Sequence, residues 1–132
     1  MKQRLKKIDR LIRVQQHLHR KAELDLASLQ RKEGELKEAQ EVLLQTMGES
    51  DALHGLFVNV LAKRLKDLSL EEVRTQAEIV GQKSLTVERA LQVKRSERMQ
   101  SRLKEDIRHM REREELTEIL EGMARKERTS LP

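Results

Sequence analysis

A stripe of mainly apolar residues runs along the first third of the chain, with alternating spacings of three and four residues. The stripe consists of Leu5, Ile8, Ile12, Gln15, His19, Ala22, Leu26, Leu29, Glu33, Leu36, Gln40, Leu43 and Met47. This spacing keeps its members on one side of an α-helix. The only proline is the final residue, Pro132, so no interior proline imposes a helix end. The pattern predicts one long first helix, residues 1–47, that needs a partner helix because a single amphipathic helix buries nothing alone.

The composition excludes several protein classes. Ala, Glu, Lys, Leu and Arg make up more than half of the 132 residues, which is typical of long helices and coiled coils. Phe57 is the only aromatic residue, and 36% of residues are hydrophobic, too few to fill a thick layered core. There is no cysteine, which excludes disulfides and thiolate zinc sites and fits a reducing cytoplasm. No apolar run approaches the roughly 20 residues of a membrane span, so we expect a cytoplasmic protein with no transmembrane segment.

The best break in the chain is the segment from Met47 to Asp51, where Gly48 suits a helix end and Ser50 or Asp51 suits a helix start. The next segment is the most apolar of the chain. Ser69 and the two glutamates that follow Leu70 then have the form of a capping box at another helix start. We therefore expect a connector with a short apolar helix at residues 48–68 and a second long helix at residues 69–132, frayed at its end.

A second stripe predicts the packing face of that helix. It comprises Leu70, Val73, Ala77, Val80, Val87, Leu91, Met99, Leu103, Ile107, Met110, Leu116, Leu120 and Met123. Two helices joined by a short connection normally return antiparallel. The predicted fold is all-α, a long antiparallel two-helix coiled-coil hairpin with a short apolar connector helix.

Charge suggests how the two helices align. Residues 1–21 hold eight basic residues against one acid, and residues 112–121 hold five acids against one arginine. These segments lie side by side if the turn is centred near residues 55–65. A turn directly at Gly48 places the basic start near the basic segment 94–98 instead. We therefore favour the longer connector.

No motif for catalysis or cofactor binding occurs in the sequence. Phosphate-binding glycine loops, nucleophile elbows and HExxH zinc sites are all missing. Glu105, His109 and Glu112 share one helix face and could touch a metal, but the facing helix carries no matching set, so a solvated charged face is the favoured interpretation. We expect a protein that is not an enzyme and has no cofactor and no metal.

Two groups of residues are candidates for binding partners. The apolar group is Leu53, Leu56, Phe57, Val60 and Leu61, and the basic group is Lys2, Arg4, Lys6 and Lys7. The apolar group could cap the hairpin end or dock a partner. The basic group could meet DNA, an anionic membrane surface or an acidic protein groove, or simply face the acidic segment of the second helix.

The chain resembles the flagellar export protein FliJ and its YscO-type relatives in type III secretion. The resemblance lies in a short, cysteine-free, basic and highly charged helical chain, and in the opening segment Leu5 to Glu23, LKKIDRLIRVQQHLHRKAE. It implies an antiparallel two-helix coiled coil like the rotor stalk of rotary ATPases. It also implies binding to an export ATPase, an export gate or substrate chaperones, at the cytoplasmic side of a membrane-embedded export apparatus.

Two function classes follow from these observations. One is a cytoplasmic interaction protein, a stalk or escort in a protein export apparatus. The other is a small coiled-coil protein that binds nucleic acid or a membrane surface through its basic N-terminal helix. Interleaved acids and the lack of stacking aromatics argue against nucleic acid. Both classes allow a homo-oligomer, since the hairpin could close within one chain or between two.

Overall fold

The structure, a computed structural model, describes the backbone of residues 2–49 and 54–130 and the side chains of residues 2–49 and 57–129. It contains two α-helices in this part of the chain, α1 (Lys2–Gly48) and α2 (His54–Ser130). The two helices pack against each other. The prediction of an all-α protein with two long packed helices is therefore confirmed.

The structure does not confirm a separate connector helix at residues 48–68. α2 is continuous from His54 and passes through Ser69 without a break. The segment from His54 to Leu68 lacks proline, and Leu61, Leu65 and Leu68 lie on the buried side of α2. A serine inside a helix is only slightly unfavourable, so the capping sequence at Ser69 has no need to start a new helix.

The chain divides into two compact parts. The central part is residues 16–91, and the terminal part comprises residues 2–15 and 92–130 among those described. In the central part, the Gln82 side-chain amide donates to the Ala22 carbonyl oxygen at 3.0 Å, and the Gln40 amide donates to the Glu72 carboxylate at 2.7 Å. Higher residue numbers in α1 thus meet lower numbers in α2, so the helices run antiparallel in this part.

The face that α1 packs on α2 is the predicted one. All thirteen positions of the predicted α1 stripe are buried or half-buried, with Ile12, Ala22 and Leu36 the most buried of them. Glu33, a charged member of the stripe, accepts a bond from Lys37 at 2.9 Å, and this hydrogen bond raises the pKa of Lys37. Its carboxylate is therefore paired although it lies beside the packed face.

The face that α2 packs on α1 is not the predicted one. Of the predicted α2 stripe, only Leu103 and Ile107 are half-buried, and all its other members are exposed. We call the packed positions the seam. The α2 seam comprises Val58, Leu61, Leu65, Leu68, Glu72, Thr75, Ile79, Gln82 and Thr86 in the central part, and Val93, Ser96, Gln100, Leu103 and Ile107 in the terminal part.

Polar residues occupy much of this seam, and two of the threonine hydroxyls on α2 are paired within the helix. The Thr75 and Thr86 hydroxyls donate to the carbonyl oxygens of Glu71 and Gln82, at 2.9 and 2.8 Å. Because these bonds lie within the helix, the threonine methyl groups remain available for packing. Thr75 is the most buried of the seam residues, with 1% exposure.

The predicted alignment of the basic start with residues 112–121 is wrong. Asp9 accepts a hydrogen bond from the side-chain amide of Gln100, and Arg4 and Lys7 line a groove with Met99, Arg102 and Leu103. The basic start of α1 therefore lies against residues 99–106. Attraction between exposed charges is weak in water, so it does not override the packing and hydrogen bonds of the seam.

Substitutions at two adjacent residues test which face of α2 is packed. Ile79 is 6% exposed and Val80 is 70% exposed. We expect Ile79→Ala to lower the free energy of unfolding by about 2 kcal/mol or more, because it removes buried methyl groups and leaves a cavity. Val80→Ala should change it by less than about 0.5 kcal/mol. Urea unfolding followed by circular dichroism measures both free energies. If Val80→Ala lost more stability than Ile79→Ala, the seam would lie on the Val80 face.

Two glycines inside the helices allow a test of whether the helix surface at their positions is unoccupied. Gly34 and Gly81 lie within α1 and α2, and a methyl group added at either would meet no atom within 4 Å. We expect Gly81→Ala to stabilise the protein by about 0.5 to 1 kcal/mol, because alanine restricts the unfolded chain and favours the helix. Gly34→Ala should behave alike. A destabilised Gly81→Ala variant in thermal unfolding would mean that another group occupies this surface.

Candidate protein-interaction surfaces

The predicted apolar partner-binding residues lie at the start of α2. Leu53 lies outside the described residues, and Leu56 belongs to α2 but its side chain is not described. Phe57 and Val60 are 55% and 64% exposed. Leu61 is half-buried in the seam. The structure therefore separates this group, with Phe57 and Val60 on the surface and Leu61 in the packing.

The predicted basic residues Lys2, Arg4, Lys6 and Lys7 are all exposed. They belong to a strongly basic region of the terminal part. Residues 2–13 carry six basic residues against one acid, and residues 92–108 carry six against three. The two segments pack together through Asp9 and Gln100, so both contribute to one basic surface.

A groove lies in this basic surface. Ile8, Met99 and Leu103 supply its apolar lining, and Arg4, Lys7 and Arg102 supply its basic residues, with Asp106 as the acid on the lining. Its volume is about 410 Å³. An apolar groove with basic residues around it suits an acidic amphipathic segment.

α2 also exposes an apolar stripe in the central part, which we call the outward stripe. It comprises Leu70, Val73, Ala77, Val80, Val87 and Leu91, all exposed. Each member lies two residues from a buried or half-buried position of α2, which is about 200° around the helix. The outward stripe therefore faces away from α1. The spacing of these residues is evident in the sequence, but it led to the prediction that they pack on α1.

The last part of α2 is exposed to solvent. Every residue from 108 to 129 is exposed. We call residues 111–130 the arm. The arm carries four apolar residues with helical spacing, Leu116, Ile119, Leu120 and Met123, which are between 55% and 61% exposed. Spacing of this kind is typical of a helix that docks into a groove of another molecule.

Acids dominate the middle of the arm. Residues 112–121 hold five glutamates against Arg113. The arm is therefore an acidic amphipathic helix with an unpartnered apolar face. The acidic run and most of these apolar residues are evident in the sequence, but they were predicted to pack against α1.

The candidate metal ligands form ordinary surface ion pairs. Arg108 lies 3.7 Å from Glu105 and 3.8 Å from Glu112, and His109 lies 3.6 Å from Glu112. All four side chains are more than half exposed. Among the described residues, no group of three or more histidine or acidic side chains could hold a metal ion. This face is a solvated charged surface.

Neither described helix contains a stretch long and apolar enough to cross a membrane. In comparisons with known proteins, no protein family, no curated protein and no solved structure matches the chain. Inferences about function therefore depend on the surfaces described above.

Substitutions at the start of α2 test whether Phe57 and Val60 lie on the surface while Leu61 lies in the seam. We expect a Phe57→Ser, Val60→Ser variant to keep its helix content and to lose less than about 1 kcal/mol of stability, because both side chains are exposed. Leu61→Ser, the matched control in the seam, should cost more, because it places a hydroxyl in an apolar contact. Thermal unfolding by circular dichroism compares them, and a larger loss in the double variant would show that Phe57 is core.

Proposed function

We propose that this chain is a non-enzymatic interaction protein that offers helical faces to other proteins. The observation that carries this proposal is the outward stripe of α2. Contiguous exposed apolar surface usually marks a site of protein interaction. The outward stripe has the three-and-four spacing with which one helix packs on another, so its partner presents a helix or a helix-binding groove.

The scaffold we propose is an antiparallel two-helix coiled-coil hairpin that closes within one chain. The cross-helix bonds of Gln40 and Gln82 support this arrangement in the central part. Two packed helices form a stiffer support than one, because each helix is stabilised by burying its apolar face. Such a support holds the outward stripe in place before a partner arrives and lowers the entropy cost of binding.

We further propose a stalk or escort role in a flagellar or type III protein export apparatus, at the cytoplasmic side of the membrane. This role is supported by the resemblance of the segment Leu5 to Glu23 to FliJ and YscO-type proteins, and by the pairing of two long helices. The partners implied are an export ATPase, an export gate or substrate chaperones. The outward stripe, together with Phe57 and Val60, supplies apolar surface for such contacts.

A second candidate function is binding to nucleic acid or to an anionic membrane surface. The basic surface formed by residues 2–13 and 92–108 favours it, because clustered lysines and arginines neutralise phosphates. Salt separates the two candidates. Phosphate binding weakens steeply as ionic strength rises, whereas docking through the outward stripe should change little.

The decisive experiment measures binding to the purified export ATPase of the same organism. We expect a Val73→Gln, Val80→Gln, Val87→Gln variant to bind about tenfold more weakly or worse, because it removes the apolar contacts while leaving the seam intact. A Leu24→Gln, Val42→Gln variant is the matched control, since both residues are exposed on α1. Its affinity should equal that of the unmodified chain.

Isothermal titration calorimetry gives the affinities, and circular dichroism verifies that each variant keeps its helices. If the unmodified chain binds neither the ATPase nor an export chaperone, the export role is wrong. If the valine variant binds as well as the control, the outward stripe is not the binding surface. If duplex DNA or anionic vesicles bind tightly and lose affinity steeply with salt, the second candidate replaces the first.

A further inference from the structure

The groove and the arm of this chain have complementary chemistry. The groove combines an apolar lining of Ile8, Met99 and Leu103 with three basic residues and one acid, Asp106, so its charge is net positive. The arm combines an exposed apolar face with a run of glutamates. An acidic amphipathic helix is the kind of segment that an apolar groove with basic edges accepts.

The arm of a chain cannot fill the groove of the same chain. Both belong to the continuous helix α2, so Leu116 lies thirteen residues beyond Leu103 along one helix. At about 1.5 Å per residue, this separation is about 20 Å. The arm could reach back only by breaking the helix, and its described residues are helical through Ser130. An arm that fills this groove therefore belongs to another molecule.

We propose that two copies of this chain form a two-fold symmetric dimer in which the arm of each copy docks into the groove of the other. Two-fold symmetry makes the exchange reciprocal, so that each contact occurs twice and no arm or groove is left without a partner. This dimer also covers the apolar face of each arm, which the single chain leaves in water.

An antiparallel pairing of the two α2 helices satisfies the apolar contacts in one alignment. With the symmetry axis near Arg111, Ile119 of one copy comes opposite Leu103 of the other, and Met123 comes opposite Met99. The same alignment places Glu118 and Glu121 within about one helical turn of Arg102 of the other copy. Two apolar pairs and the opposite charges are therefore matched in this alignment, while Leu116 and Leu120 come opposite Asp106 and Arg102.

The proposal is independent of the outward stripe, because the arm and the groove both lie in the terminal part and the outward stripe lies in the central part.

The experiment separates the two surfaces with two charge-reversed variants. The arm variant is Glu118→Lys, Glu121→Lys, and the groove variant is Lys7→Glu, Arg102→Glu. All four residues are exposed, so the helices should remain intact, which circular dichroism verifies.

Sedimentation equilibrium measures the association of each protein. We expect the unmodified chain to dimerise, and each variant alone to dimerise about tenfold more weakly or worse, because arm and groove then carry like charges. An equal mixture of the two variants should recover the affinity. In the mixed dimer, one contact keeps its original charges and the other has both charges reversed, so both contacts are again complementary.

Three results would overturn the proposal. One is an unmodified chain that stays monomeric at every concentration tested. Another is a dimer that withstands both charge-reversed variants, or variants whose mixture fails to recover affinity. The third is a dimer that the Val73→Gln, Val80→Gln, Val87→Gln variant abolishes while the arm variant leaves it intact, since that result would place the dimer contact on the outward stripe.

Discussion

Hydrogen bonds from glutamine side chains fix how the two helices of this protein meet. In the central part, Gln40 and Gln82 reach across to Glu72 and to the Ala22 carbonyl oxygen. In the terminal part, Gln100 reaches Asp9. These amides are half-buried, so rotating or sliding a helix would break their bonds at a typical cost of about 0.5 to 1.5 kcal/mol each. The polar contacts therefore select the register of a seam whose apolar residues supply the burial.

The polar residues of the α2 seam explain why the exposed face of α2 is apolar. Because Glu72, Thr75, Gln82 and Thr86 point toward α1, the more apolar side of α2 in the same region points away from it. A hairpin that serves only its own stability would bury the apolar side. The observed arrangement gives up apolar burial within the chain and leaves a long apolar face available to other molecules.

The sequence predicted α1 well and α2 poorly, for a physical reason. α1 has one apolar stripe that runs along its whole length, so its packing face was the clearest, and even the polar members such as Gln15 lie in the seam. α2 has an apolar stripe and a polar one opposite each other, and hydropathy selects the apolar side, as at Val80. Only the cross-helix bonds of residues such as Gln82 reveal the packed side. The same error concealed the outward stripe and the arm, since both had been assigned to packing.

The arm has a consequence for the kinetics of any contact that it makes. A helical segment of some 20 residues without a packing partner is less stable than a packed helix, because tertiary contacts supply most helical stability. Part of the energy of docking must then be spent on ordering the segment, so the net affinity is smaller than its apolar surface suggests. A contact of this kind releases readily. We therefore expect contacts made by the arm to exchange rather than to persist.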